Sequence, residues 1–327
     1  MRDLPQVVRC AAPGKVILLG EHVVVYGRAA LAASIDRCVE VEIAPSGCVP
    51  QPDWFDGRTS PPQWPVPPEA LRRAAELTGV DPAEIAAMAR ATMPSAAGLG
   101  SSAALSVALV RALATLAGQS LTDAAVCSRA FEIEKIFHGF PSGIDNTVVT
   151  YGGLLAFKHG TAPRPVVLRQ PLPLVIGVGR APRATQRTVR GLRQRWEANP
   201  ERYEPLFDEV DGLVRGAETA IGTGDLRSLG RLMSANHDLL KRIGISTEEL
   251  DQMVALACTG GALGAKLTGG GGGGAVIALC DGDREPLVNA FVNAGWDAFA
   301  TDITGQEHGL NAGDDAGRFE QRDHACG

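Results

Sequence analysis

The chain has 327 residues, 45% of them hydrophobic, and a formal net charge of −6; it is long enough for two packed domains of ordinary globular composition. The acidic balance gives no basic footprint for nucleic acid, and no run is apolar and long enough to span a bilayer. Seven cysteines without C-x-x-C spacing, and an N-terminus without a signal-type apolar core, lead to the expectation of a soluble cytoplasmic protein with reduced thiols.

In chain order, residues 16–19 and 29–43 carry short aliphatic and β-branched runs that predict strands. Residues 46–68 are proline-rich and hold Trp54, Phe55 and Trp64, a composition that predicts a loop or an irregular hairpin. Helices are expected over 68–78 and over 81–91, the second with Asp81 as N-cap and Pro82 at its first position. Further helices are expected over 103–117, closed by Gly118, and over 121–137, closed by Gly139. A strand is expected over 151–157. Four prolines at Pro163, Pro165, Pro171 and Pro173 then mark the best candidate for a domain junction. Beyond it the pattern reads strand (174–178), helices (185–197, 203–222, 225–243, 247–259), a glycine run (269–274), strand (275–279), helix (285–294) and strand (296–301). Residues 305–327 are polar and glycine-rich and read as a tail. Strands and helices mix without strict alternation, so the fold class is α+β.

Four motifs carry chemistry. Pro94-Ser-Ala-Ala97-Gly98-Leu99-Gly100-Ser101-Ser102-Ala103-Ala104 is a backbone-exposing loop that feeds a helix N-terminus, where free amides and the helix dipole suit a phosphate. It also matches G-x-G-x-x-A, but a dinucleotide site needs a strand directly before it and an acid closing a second strand about 20 residues on. No G-x-x-x-x-G-K-[ST] loop and no protein-kinase signature occurs. In Pro13-Gly14-Lys15-Val16-Ile17-Leu18-Leu19-Gly20-Glu21-His22, alternation with Ile17 and Leu19 points Lys15 inward, where a charge needs a partner. Glu134 and Asp145 lie eleven residues apart across a Pro141-Ser142-Gly143 turn; two carboxylates facing phosphates need a cation between them, usually magnesium. Lys266-Leu-Thr268 precedes six glycines, Gly269 to Gly274, between buried-looking apolar segments, which favours close backbone approach to a ligand or a neighbouring loop.

In this order the motifs resemble those of the GHMP small-molecule kinases, nearest to the mevalonate kinases among them. The resemblance runs from about residue 13 to about residue 279 and includes Ala181-Pro182-Arg183-Ala184-Thr185 and Val189-Arg190-Gly191-Leu192-Arg193. It implies a two-domain fold, with a ribosomal-protein-S5-domain-2-like N-terminal domain (1–165) and a ferredoxin-like C-terminal domain (166–304). It implies transfer of the ATP γ-phosphoryl group to the primary hydroxyl of mevalonate. By position, Pro94, Ala97, Gly98, Leu99, Gly100, Ser101, Ser102 and Ala103 meet ATP, and Ser102 and Glu134 hold Mg²⁺. Asp145 and Lys15 are the catalytic pair. Lys15, Glu21, His22, Ser142, Asp145, Thr268 and Gly269 lie on the substrate side, and a homodimer is the family expectation. Departures are Gly270 and Ala275, where relatives commonly have alanine and cysteine, and a 151–157 segment without arginine, which leaves Lys158 or Arg183 to meet a substrate carboxylate. Another hydroxy acid, a sugar or phosphomevalonate as acceptor, and a non-catalytic ligand sensor, are the alternatives.

Overall fold

A computed structural model describes residues 7–47, 63–94, 97–139, 141–180 and 185–305. Trp54, Phe55, Arg183, the glycine-loop residues Ser95 and Ala96, and the expected tail from residue 306 on lie outside the described residues.

The N-terminal sheet is built on one long strand. β2 (Ala29–Pro45) pairs along its length with β1 (Val8–Leu19); β4 (Ile85–Ala91) pairs with one end of its other edge and β5 (Leu154–Lys158) with the other end. Two-residue strands β3 (Trp64–Pro65) and β6 (Arg164–Pro165) close the rims, and every pairing is antiparallel. Val39, Val41 and Ile43 of β2 alternate into the core. The register of β1 on β2 shifts between Pro13 and Gly14, and Gly14 sits so close to the loop that a Cβ there would lie 3.0 Å from the Leu99 carbonyl oxygen. Against this sheet packs α2 (Ser101–Leu116), flanked by α1 (Pro68–Thr78), α3 (Asp123–His138) and α4 (Ile144–Tyr151). Its Ala-, Val- and Leu-rich surface is apolar on nearly every side, as a fully enclosed helix requires.

Two local expectations fail. Asp81 does cap a helical start, accepting from the Ala83 N–H, but the helix stops after the 3-10 turn Pro82–Glu84. Residues 85–91 run on as strand β4, because pairing with β2 outweighs the helix propensity of an Ala-Ala-Met-Ala-Arg-Ala stretch. The strand expected over 151–157 begins only at Leu154, because residues 144–151 form α4. Its β-branched residues are poor helix formers, but Thr147 and Thr150 return their hydroxyls to the carbonyls of Gly143 and Asn146 at 2.6 and 2.7 Å, and one face is buried.

The chain leaves the first sheet at Pro165 and enters the second at Leu172. The second sheet has the order β10 (Asp297–Ile303), β7 (Leu172–Val178), β9 (Ala275–Leu279), β8 (Gly264–Thr268), all antiparallel. Numbered within this unit, that is the 4-1-3-2 order of a ferredoxin-like fold, as expected. Its helices are α5 (Thr185–Ala198), α6 (Pro200–Thr223), α7 (Leu226–Ile243), α8 (Glu248–Thr259) and α9 (Glu285–Asn293). Strand β7 sends Leu172, Leu174, Ile176 and Val178 into a core shared with the N-terminal sheet, and Val175 into a second core among α6, α7, α8 and α9. The turn that follows β1 enters that second core. Val23 is fully buried in it, Tyr26 stacks on Phe207 at 4.6 Å, and Arg28 pairs with Asp208 at 2.8 Å and with Glu204.

Candidate active site

β1 and the glycine-rich loop are tied together before any side chain is considered, because the Lys15 N–H donates to the Leu99 carbonyl at 2.7 Å. Gly98 and Gly100 both adopt left-handed φ (85° and 80°), and a Cβ on Gly100 would lie 2.7 Å from Lys15 Cγ. Gly100 is also the N-cap of α2 and offers no capping side chain. The opening amides of α2 are therefore left for an outside acceptor, whereas Thr122, Asn199, Asp225 and Thr247 cap α3, α6, α7 and α8. Ala97 and Leu99 anchor the loop in the core, Ala103 is buried in the first turn, and Ser101 and Ser102 remain half-buried at the surface.

Lys15 points inward, as alternation predicts. Its side chain is 1% exposed, and its Nζ lies 3.0 Å from Oδ1 of Asp145, which is 31% exposed. Asp145 stands in the first turn of α4, just after Gly143, and Ser142 lies in the turn before it. The structure thus joins Lys15, Asp145 and the loop in one place.

A few side chains away, Glu134 is 1% exposed on α3. Ser102 donates to its Oε2 at 3.3 Å and Ser106 to its Oε1 at 3.2 Å. Burial, reinforced by the negative charge of Asp145, pushes the Glu134 carboxyl up to about 8. A buried carboxyl group next to a serine hydroxyl at an uncapped helix start fits a divalent cation shared with phosphate oxygens. Among the described residues no cluster of three or more His, Cys, Asp or Glu side chains could cage a metal by itself. His138, one turn after Glu134, lies 2.9 Å from Ser102 Oγ and 3.7 Å from Glu134 Oε2. Sequence reading gave neither His138 nor Ser106 a role. The i, i+4 spacing of His138 from Glu134 and of Ser106 from Ser102, and a serine inside an otherwise apolar helix, were the available signals.

The C-terminal unit reaches this region through β8 and the glycine run. Five of the six glycines have positive φ; a Cβ on Gly271 would lie 2.3 Å from the Ile245 carbonyl oxygen, which accepts from the Gly272 N–H at 2.9 Å. The run is wound tightly against a neighbouring loop. Thr268 accepts from the Ile17 N–H at 2.9 Å and donates to the Ile17 carbonyl at 3.0 Å, so its hydroxyl is engaged with β1. His22, the one described non-glycine residue with positive φ (63°), places Nε2 2.9 Å from the Gly270 carbonyl oxygen. Glu21 is fully buried, with one carboxylate oxygen on Lys266 and the other accepting from Asn236 at 3.1 Å. Glu21 and Thr268 are thus engaged inside the protein, and neither is brought against Asp145. Lys158 lines a surface groove with Ala162, Arg164 and Arg215.

Residues 69–153 match the model of the GHMP kinases N terminal domain, and residues 217–298 match that of the GHMP kinases C terminal domain. Mevalonate kinase of Pyrococcus abyssi is 34% identical over 92% of this chain and 97% of its own length. The chain belongs to the GHMP kinase family. Mevalonate kinase of Aeropyrum pernix is 35% identical over 90% of this GHMP kinase and 95% of its own length. The crystal structure of L. major mevalonate kinase in complex with R-mevalonate superposes with a TM-score of 0.77 at 31% identity, covering 91% of this chain and 96% of that one. Methanococcus jannaschii mevalonate kinase gives 0.73 at 25% identity over 93% of this chain. As a GHMP kinase the chain is a phosphotransferase with an alcohol group as acceptor.

Proposed function

We propose that this GHMP kinase transfers the γ-phosphoryl group of ATP to the primary hydroxyl of mevalonate, giving 5-phosphomevalonate. The observation that carries the reading is the Lys15–Asp145 pair, locked by the Leu99 carbonyl to a glycine loop that opens α2 without a side-chain cap. The identity of the acceptor rests on relatives named mevalonate kinase across nearly the whole chain.

In this reading the amides of residues 98–103 take the nucleotide phosphates, with Pro94 and Ala97 shaping the entry to the loop. Ser102 and Glu134 would hold Mg²⁺, which when bound neutralises phosphate charge during transfer. Asp145 orients the acceptor hydroxyl and takes its proton on a carboxylate oxygen. Lys15 holds Asp145 by a charge-assisted contact and presents a positive charge where the transferred group passes. His22, Ser142 and Gly269 border the acceptor side.

An ADP-release assay with Mg·ATP across mevalonate, phosphomevalonate, galactose and homoserine tests this. Turnover with mevalonate is expected; turnover with another acceptor alone would reassign the substrate, and none at all would favour a ligand sensor. Light scattering checks the expected homodimer.

A further inference from the structure

Lys266 and Glu21 are the most deeply buried pair of opposite charges among the described residues, each with 0% of its side chain exposed, and they come from different sheets. Lys266 lies on β8 of the C-terminal unit, and Glu21 follows β1 of the N-terminal unit. The Lys266 ammonium donates to Glu21 Oε1, to the Leu267 carbonyl at 2.6 Å and to the Ile17 carbonyl at 3.5 Å. Asn236 of α7 occupies the other Glu21 oxygen. Two residues further along β8, Thr268 grips both polar groups of the Ile17 backbone. Ile17 is two residues from Lys15 on one side of the strand, and Thr268 leads directly into the glycine run.

Burying two charges is expensive, and a stable seam does not require it; well-packed apolar side chains would serve stability as well or better. What the pair adds is direction. Apolar contact is indifferent to small slides of one surface over another, whereas an ammonium shared among three fixed oxygens is not. Here the shared oxygens fix where β1 stands against β8.

From this we infer that Lys266 and Glu21 form a cross-domain positioning clamp that sets the register of the Lys15 strand against the glycine run. They are positioning residues that touch neither nucleotide nor reacting atoms. The inference rests on the kinase reading above and adds a device to it. The phosphate cradle, Ser102 and Glu134 all belong to the N-terminal unit, so nucleotide affinity does not depend on the clamp. Alignment of the two sides of the site does.

The test compares Lys266→Met, Glu21→Gln and the double change Glu21→Met with Lys266→Met. Each single change lowers the melting temperature, because one buried charge loses its partner. The double change recovers the melting temperature, yet kcat stays ~10–100-fold below wild type, with KM for ATP within about threefold. The double variant carries the test if a single change prevents folding. Recovery of kcat together with the melting temperature, or a KM for ATP that rises in step with the loss of kcat, overturns the clamp. Hydrogen exchange separates this from failure of the kinase reading. If wild type is inactive on every acceptor, faster amide exchange across residues 15–21 and 269–274 in the double variant still supports the clamp, and unchanged exchange overturns it.

Discussion

Asp145 keeps enough exposure to meet an acceptor while Lys15, almost wholly buried, holds it from behind. General-base contributions are typically ~10²–10⁴-fold, so Asp145→Asn is expected to remove at least ~10²-fold of kcat while leaving nucleotide binding measurable by titration; near-normal turnover would contradict the assignment. Glu134 provides a stability test independent of turnover. Its folded carboxyl titrates near 8, above the unfolded value of 4.5, so the folded state binds the extra proton between those values. Stability from this group is present below about pH 4.5 and is lost as pH rises toward 8. Without magnesium and nucleotide, Glu134→Gln should therefore melt higher than wild type at pH 8 and lose that advantage near pH 5. At this scale much was legible: alternation along β1 turned Lys15 inward, and the family resemblance paired it with Asp145. The burial of Glu21 was not, because its partner Lys266 lies 245 positions away and only the meeting of two sheets joins them.

Among the elements, the start of α2 is the most constrained. Gly100 combines left-handed φ, an N-cap without a side chain and contact with Lys15. Gly100→Ala should destabilise the chain by ~1–3 kcal/mol in denaturant titration and lower kcat beyond what the stability loss accounts for, since the added Cβ displaces the Lys15 side chain. Full activity with unchanged stability would show the loop to be looser than described. Element reading from sequence succeeded where local signals agreed: Gly139 ends α3, and helices α6 and α7 fall within a few residues of expectation. It failed at β4, where a partner distant in sequence outweighs local preference, and at the start of β5, where α4 runs on through Tyr151. An alanine-rich stretch becomes a strand because β2 leaves an edge to fill. A β-branched stretch becomes a helix because threonine hydroxyls and burial hold it there.

Over the whole molecule, the two sheets share one core, and the turn after β1 is built into the C-terminal unit, so stability and alignment are joined at the seam. His237 of α7 lies inside this region: its Nδ1 accepts from the Leu267 N–H at 3.4 Å, and its Nε2 is 3.2 Å from Asp251 Oδ1. Burial is the main cause that drives its folded value down to about 4 from 6.5, while Asp251 opposes the shift. The unfolded chain thus takes up this proton first, and stability should fall as pH drops from 6.5 toward 4. His237→Gln should flatten that slope in thermal melts; an unchanged slope would assign the acid sensitivity elsewhere. The ferredoxin-like order of the second sheet was expected from resemblance, whereas the insertion of residues 21–28 into its core had no local signature.

The most direct test of the central claim is phosphorus NMR of the product formed from Mg·ATP and mevalonate. The account predicts one new phosphate resonance coupled to the methylene protons of the primary alcohol carbon, appearing in step with ADP and absent with Asp145→Asn. ADP release without a phosphorylated acceptor, or phosphate on the tertiary hydroxyl, would contradict it.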